Sequence, residues 1–406
     1  VTACHVCSAA AVETLHQAGA RFRLVSSDAQ PVEGTAGFCF CPACGTVQKA
    51  VTPAWRAMTE RIYARYDINH QGRGAEPMIF DSAKGSGPRS LMLLRNLLDA
   101  IDLPDSGRLL DIGCSNGNLL KSFHGLRPAW KLSGSELSDT WREAVTAMPG
   151  VERFYSGLDP DYAGPYDLVS LSHVLEHVTD PAGFLRRIAG QLGEGGRILI
   201  AVPDLGQNPM DLLIADHCTH FDNQSLASVA QRAGLAIDLL SPTLLPKELI
   251  AVLSRAPRRA EIPKRPPARP ARTTMPGKWV GLPPHFRRRE GSPADLVRAH
   301  FSLIGEVREA ARHAATAGRA FGIMGSSIAA CWLMQELEGR VGFFVDEDRN
   351  RVGHDLAGIP ILAPDQVPRH AVVFIPMSPT VAHKIIQRWQ HLPVDFRFAA
   401  STKRES

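Results

Sequence analysis

Two pairs of cysteines stand out by their spacing. Cys4 and Cys7 enclose two residues, as do Cys41 and Cys44 in Cys41-Pro42-Ala43-Cys44-Gly45. Two such knuckles that converge present four thiolates in a tetrahedron, the arrangement Zn²⁺ takes with Zn–S near ~2.3 Å. A closed site of this kind keeps no position open for substrate, so its role is structural. Gly45 permits the tight turn after the second pair. Cys39 is the spare and could replace Cys41; the plain alternative is a set of buried free cysteines. A second group consists of histidines beside acids: His177 after Glu176, His217 after Asp216, and His220 three residues further on. Imidazole titrates near neutrality and can take a proton from an alcohol or from a C–H acidified by a ketone. Asp216 could orient the ring of His217, with His220 as its substitute. The plain alternatives are a helix-capping role for His177 and a surface loop for His217 and His220. Asp204 and Asp211 are expected to be solvated.

These side chains need a scaffold, and the middle of the chain supplies its pattern. Apolar runs at Arg108–Ile112, Lys131–Glu136, Tyr166–Leu171, Arg197–Val202, Ile237–Leu240 and Ile250–Ser254 alternate with helical stretches at Gly117–His124, Asp139–Ala147, Pro181–Leu192 and Asn223–Ala233. That alternation predicts a mostly parallel sheet covered on both faces, with ligands beyond the C-terminal strand ends. The first strand runs through Leu109-Leu110-Asp111-Ile112 into Gly113-Cys114-Ser115-Asn116-Gly117 and then into a helix. Gly113 and Gly117 allow close backbone approach. Glu136 ends the next strand, where a carboxylate can accept both ribose hydroxyls of an adenosine. Five blocks follow: a cysteine-bearing segment 1–50, a helical lead-in 51–105, the α/β core 106–254, a linker 255–290 and a C-terminal α/β domain 291–406. The linker carries eleven Lys and Arg over 255–289 against the single acid Glu261, and is broken by proline throughout. Prolines at that density exclude a continuous helix or central strand.

The string from Leu109 to Leu120 resembles motif I of class I S-adenosylmethionine-dependent methyltransferases. Tyr166-Asp167-Leu168-Val169 with His173-Val174-Leu175-Glu176-His177 resembles their fourth-strand segment, and Leu192-Gly193-Glu194-Gly195-Gly196-Arg197 resembles the turn before their fifth strand. The resemblance implies a Rossmann-like core in which Asp111, Gly113, Cys114, Ser115 and Gly117 line the methionine and ribose part of S-adenosyl-L-methionine. Glu136 would hold the ribose, Leu137 would lie beside the adenine, and Ser172 and His173 would sit under the sulfonium. A zinc-binding N-terminal domain, a methyltransferase core and a C-terminal half-Rossmann domain together resemble the three-part C-methyltransferases of nucleotide-linked sugars. In that family a Tyr-x-Glu-His segment is catalytic; here Asp216-His217 take the Glu-His place and Ile214 the place of the Tyr. The methylated atom, carbon, oxygen or nitrogen, stays open.

Composition narrows the classes. Hydrophobic residues are 44% and charged residues 21% of the 406, which excludes wholesale disorder. No apolar run reaches the ~18–20 residues that span a bilayer, and no basic patch followed by an apolar stretch opens the chain, so a cytoplasmic protein without membrane contact is expected. The net charge of +4 hides a mildly acidic body and one basic segment, which argues against a nucleic-acid partner. The reading is an S-adenosylmethionine-dependent methyltransferase with a structural zinc and a histidine base. Its partner is a small molecule, by the resemblance a nucleotide-linked sugar of polysaccharide or glycosylated natural-product assembly. The rivals are an O- or N-methyltransferase of another small metabolite, and a non-catalytic scaffold that binds S-adenosylmethionine.

In the C-terminal domain, Phe321–Met324 is read as a strand, Gly325-Ser326-Ser327 as a turn able to hold phosphate at the following helix, and Asp346 as the acid ending a second strand.

Overall fold

The computed structural model describes residues 3–10, 12–15, 22–67, 74–81, 85–157, 161–256, 292–315 and 318–399. Most of the proline- and arginine-rich linker therefore lies outside the described residues.

The core is a seven-stranded sheet: β1 (Arg108–Ile112), β2 (Lys131–Glu136), β3 (Val151–Ser156), β4 (Tyr166–Ser172), β5 (Leu192–Pro203), β6 (Leu235–Ser241) and β7 (Glu248–Arg255). Its order is β3-β2-β1-β4-β5-β7-β6. The pairings from β3 to β5 are parallel, and β7 runs antiparallel to both its neighbours. Side chains alternate between faces along each strand. Leu110, Val169, Leu171, Ile198 and Ile200 accordingly enter one apolar cluster, and Leu109, Leu168, Leu199 and Ala201 the other. Helices Pro181–Ala189 and Asn223–Arg232 cover the first face, Arg89–Ala100 and Asn118–Leu126 the second. β3 went unread in the sequence because it is an edge strand whose residues are mostly half-exposed.

The cysteine segment is not an independent unit. Strands Glu13–Thr14, Phe38–Phe40 and Val47–Lys49 form an antiparallel sheet, and its fourth strand, Thr219–His220, comes from the core domain. Cys41–Gly45 is the turn joining two of these strands; the Gly45 amide donates to the Cys41 carbonyl at 2.7 Å, with Gly45 at φ +76°.

The C-terminal segment opens on the helix Pro293–Ala314, capped by Ser292, whose hydroxyl accepts from the Asp295 amide. A six-stranded sheet follows, five strands parallel with the short strand Asp355–Leu356 antiparallel at one edge. This sheet is fuller than a half-Rossmann unit. It shares one apolar core with the N-terminal segment: Phe22 stacks on Phe301 at 5.6 Å, Phe38 meets Phe301 edge-on at 5.4 Å, and Trp332 lies against Phe22.

Candidate active site

The strand order reverses between β1 and β4, and an open α/β sheet binds ligands beyond the strand ends at such a switch point. The predicted loop lies there. Asp111 is buried at the end of β1 and its carboxylate accepts from the Ser170 hydroxyl at 2.6 Å. Burial raises its pKa to about 7, the Glu136 and Glu76 charges adding to the shift and the Ser170 hydrogen bond and the Arg89 charge opposing it only in part. Gly113 and Gly117 adopt φ of +74° and +81°, and a Cβ at Gly113 would stand 2.6 Å from Val174 Cγ2. The Glu136 carboxylate at the end of β2 accepts from the Ser115 amide at 2.8 Å and the Leu137 amide at 2.7 Å. Leu137 is exposed beside it. Cys114 differs from expectation: its side chain turns into the core against Gly134, so only its backbone belongs to the loop.

Beyond β4, Ser172 and the part-exposed His173 enter a largely buried charge network that sequence reading missed. Arg89, the first residue of its helix, forks onto Glu248 of β7 with one contact of 2.6 Å and donates to Ser172 Oγ at 2.9 Å. His173 Nδ1 lies 3.0 Å from Glu176 and its Nε2 3.5 Å from Glu248. Burial and the Arg89 charge oppose protonation of His173, but the two carboxylates prevail and raise it to about 9. Glu176 has one oxygen on His173; the other, buried, has no hydrogen-bond partner.

The loop after β5 brings in the remaining candidates, with four corrections. Asp211 is buried rather than solvated, and it, not Asp216, holds His217: Asp211 Oδ1 lies 2.6 Å from His217 Nδ1 and Oδ2 2.5 Å from His220 Nδ1. His220 cannot stand in for His217, because its strand is paired to Val47 and its ring is fully buried; burial lowers its pKa to about 4. Asp216 accepts from the Ser27 amide at 2.9 Å and lies 3.4 Å from His177 Nδ1 instead. Asp204 too is buried, and caps its own loop through the amide of Gly206.

His177 is partly exposed and sits 4.7 Å, ring to ring, from His217. Its Nδ1 lies 3.1 Å from the Tyr63 hydroxyl and 3.2 Å from the Asp216 carbonyl. Burial and the neighbouring His217 lower its pKa, which keeps the ring neutral and able to accept a proton. Tyr66, at 6.0 Å from Tyr63, takes a hydrogen bond from Ser27. Tyr63 ends, and Tyr66 follows, the helix that opens on the N-cap Thr52 and Pro53; nothing in the spacing alone shows that the helix returns to the histidines.

The N-terminal sheet holds this loop in place. Lys49, fully buried, donates to the carbonyls of Ile214 and, at 2.9 Å, of His217. Trp55 Nε1 donates to the Ala215 carbonyl and the Ala215 amide to Val25. Burial lowers Lys49 to about 8 against the pull of Asp211 and Asp216.

The four thiols of Cys4, Cys7, Cys41 and Cys44 converge. Cys4 and Cys44 Sγ are 3.6 Å apart, Cys7 and Cys41 3.4 Å, and all four lie within 4.8 Å of one another. Tetrahedral Zn–S bonds of ~2.3 Å place sulfurs ~3.8 Å apart, so the donor set fits zinc. Cys39 is outside the cluster. In the C-terminal domain the Ser326 amide and hydroxyl both bond the Asp346 carboxylate, so an acid occupies the turn where phosphate was expected.

Residues 88–240 match the family described as a methyltransferase domain. A ubiquinone biosynthesis O-methyltransferase of Marinobacter nauticus is 33% identical over 122 residues, covering 27% of this chain and 48% of its own. A trans-aconitate 2-methyltransferase of Rhodopseudomonas palustris is 29% identical over 125 residues, 30% of this chain and 48% of its own. The chain spans about half the length of these curated relatives. A solved mitomycin 7-O-methyltransferase aligns at 20% identity with a TM-score of 0.34 over 41% of this chain and 54% of that one. No described helix is long and apolar enough to cross a membrane. With the glycine loop, Glu136 at the end of β2 and the seven-stranded sheet in place, residues 88–240 match a methyltransferase domain and have the make-up of the class I, S-adenosylmethionine-dependent type.

Proposed function

We propose that the chain transfers a methyl group from S-adenosyl-L-methionine to a small polar acceptor bound above the ends of β4 and β5. The observation that carries the reading is that the matched glycine loop follows β1 while His177, packed against His217, follows the neighbouring parallel strand β4. Asp111, Gly113, Ser115, Gly117 and Glu136 would hold the cofactor, which supplies an electrophilic methyl on a cationic sulfur. The protein's own work is then alignment and proton removal. His177, neutral and partly exposed, would take the acceptor's proton, with Tyr63 fixing its ring. His217, oriented by Asp211, would contact the acceptor. One zinc on Cys4, Cys7, Cys41 and Cys44 would tie the N-terminal turns together and so support the loop that carries His217.

For the acceptor we propose a nucleotide-linked sugar. The reading is supported by the three-part organisation and by Asp346, which ends the second parallel strand of the C-terminal sheet as Glu136 does in the core, a position suited to ribose hydroxyls. Asp346 does not suit the phosphate. A second reading, O-methylation of another small metabolite, is favoured by the names of the curated relatives. Labelled S-adenosylmethionine with a panel of nucleotide-linked keto- and hydroxy-sugars, and with simple phenols and carboxylates, separates them by product mass. A folded protein that labels nothing and binds no S-adenosylmethionine would sink both. Replacing His177 by Ala is expected to lower kcat about 10²–10⁴-fold with cofactor affinity kept.

A further inference from the structure

Glu176, His177 and His217 lie together at the strand ends, and one carboxylate oxygen and one nitrogen from each ring fall within 4.8 Å of one another. We propose that these three residues bind a first-row divalent cation of the Zn²⁺ or Fe²⁺ kind, separate from the thiolate site. Two imidazoles and one carboxylate are a ligand set such ions take while keeping positions open. Metal ligands normally have their second polar atom held from behind, which fixes ring and tautomer, and all three residues are held so. Asp211 engages Nδ1 of His217 at 2.6 Å, the Tyr63 hydroxyl engages Nδ1 of His177 at 3.1 Å, and His173 engages one oxygen of Glu176 at 3.0 Å. With Nδ1 of each ring and the first oxygen of Glu176 kept by these partners, Nε2 of each ring and the second oxygen of Glu176 are by elimination the atoms left for an ion.

That second oxygen is the independent sign. The Glu176 side chain is 1% exposed, and this oxygen is buried without a hydrogen-bond partner. A buried anionic oxygen so placed costs several kcal/mol unless something cationic or protic meets it. Burial of Glu176 and His217 makes the pocket dry on one side, while His177, at 17% side-chain exposure, leaves it open on the other. Ligand atoms on one ion of ~2.1 Å bond length stand at most ~4.2 Å apart, so small side-chain rotations close the set.

The ion would deepen the proposed methyl transfer, and that part rests on the reading above; binding itself does not. An acceptor hydroxyl on the cation ionises near neutral pH, its proton passing to solvent. The oxygen lone pair then attacks the methyl carbon, and the C–S electron pair returns to sulfur, leaving a neutral thioether. With the ion bound, His177 is a ligand and the ion takes over the ionisation of the acceptor; His177 is the free base proposed above only when the ion is absent.

The test begins with the 406-residue protein carrying about one equivalent of zinc on its thiolates, titrated with Co²⁺. The expected result is one further equivalent showing visible d–d bands without thiolate charge-transfer absorption. Glu176→Gln and His217→Asn should lose that equivalent while keeping the thiolate-bound zinc, and Asp211→Asn should weaken it roughly 10–100-fold. Wild-type protein that is folded, zinc-loaded and takes up no second Co²⁺ overturns the site, as does uptake that Glu176→Gln leaves unchanged. Methyl transfer is followed in parallel. Activity undiminished when the second ion is removed refutes its catalytic role but leaves the methyltransferase reading intact; metal uptake with no transfer to any acceptor does the reverse.

Discussion

Asp111 shows how one side chain can set a binding property. A carboxyl buried at the end of β1, with the Ser170 hydroxyl as its hydrogen-bond partner, has its pKa raised to about 7 by burial against the Arg89 charge. Because its folded pKa is above the unfolded value, the stability it contributes is full at low pH and is lost as pH rises toward 7. A cationic ligand draws the proton off. S-adenosylmethionine affinity is therefore expected to rise between about pH 5.5 and pH 7 and then level, and Asp111→Asn should bind more weakly and without that slope, both read by calorimetry across pH. Gly113 is constrained differently. It combines a positive φ with a Cβ position 2.6 Å from Val174. Gly113→Ala should cost about 1–3 kcal/mol in urea denaturation and more than tenfold in cofactor affinity; a variant with wild-type affinity would show that the loop has room to spare.

At the scale of elements, the site is a meeting of ends. The helix Arg89–Ala100 begins with the guanidinium that pairs with Glu248 on the reversed strand β7, both side chains at least 86% buried. That pair links helix, β7 and, through Ser172, β4. Breaking a buried pair from one side leaves an uncompensated charge, so Arg89→Ala should cost about 3–5 kcal/mol, whereas replacing both partners with apolar residues of similar volume should cost far less. Equal losses in the single and double variants, measured by denaturant titration, would mean that packing and not charge dominates. The sequence pattern made the strands and helices legible because alternation and the 3.6-residue period report burial locally. It could not show that Arg89, 159 residues before Glu248, would face it.

For the molecule as a whole, the terminal segments act on the core from outside it. The strand Thr219–His220 completes the N-terminal sheet, and Lys49 and Trp55 of that segment grip the loop bearing His217. Cys4→Ser, which loosens the zinc proposed on the four thiols, should therefore reduce methyl transfer from a site built of other residues, with a lowered melting temperature as the accompanying sign. A variant that melts earlier but turns over normally would detach the two. The Pro293–Ala314 helix anchors the same segment from the other side. Phe301→Ala, which empties the contact with Phe22 and Phe38, should cost about 3–5 kcal/mol and destabilise the N-terminal sheet together with the C-terminal domain in hydrogen exchange.

Taken alone, the order of residues determined the parallel core, the glycine loop with Glu136, the two cysteine pairs up to the choice between Cys39 and Cys41, and the identity of His177 and His217 as strand-end imidazoles. These are encoded by short spacings and by periods that the local backbone imposes. Three-dimensional packing decided the partnerships: Asp211 rather than Asp216 behind His217, His220 sunk into a sheet, Tyr63 over His177, and the orphaned oxygen of Glu176. Each of these joins residues from different turns of the chain, and the energy that selects them, desolvation of charge against hydrogen bonding at close range, exists only once the elements have met.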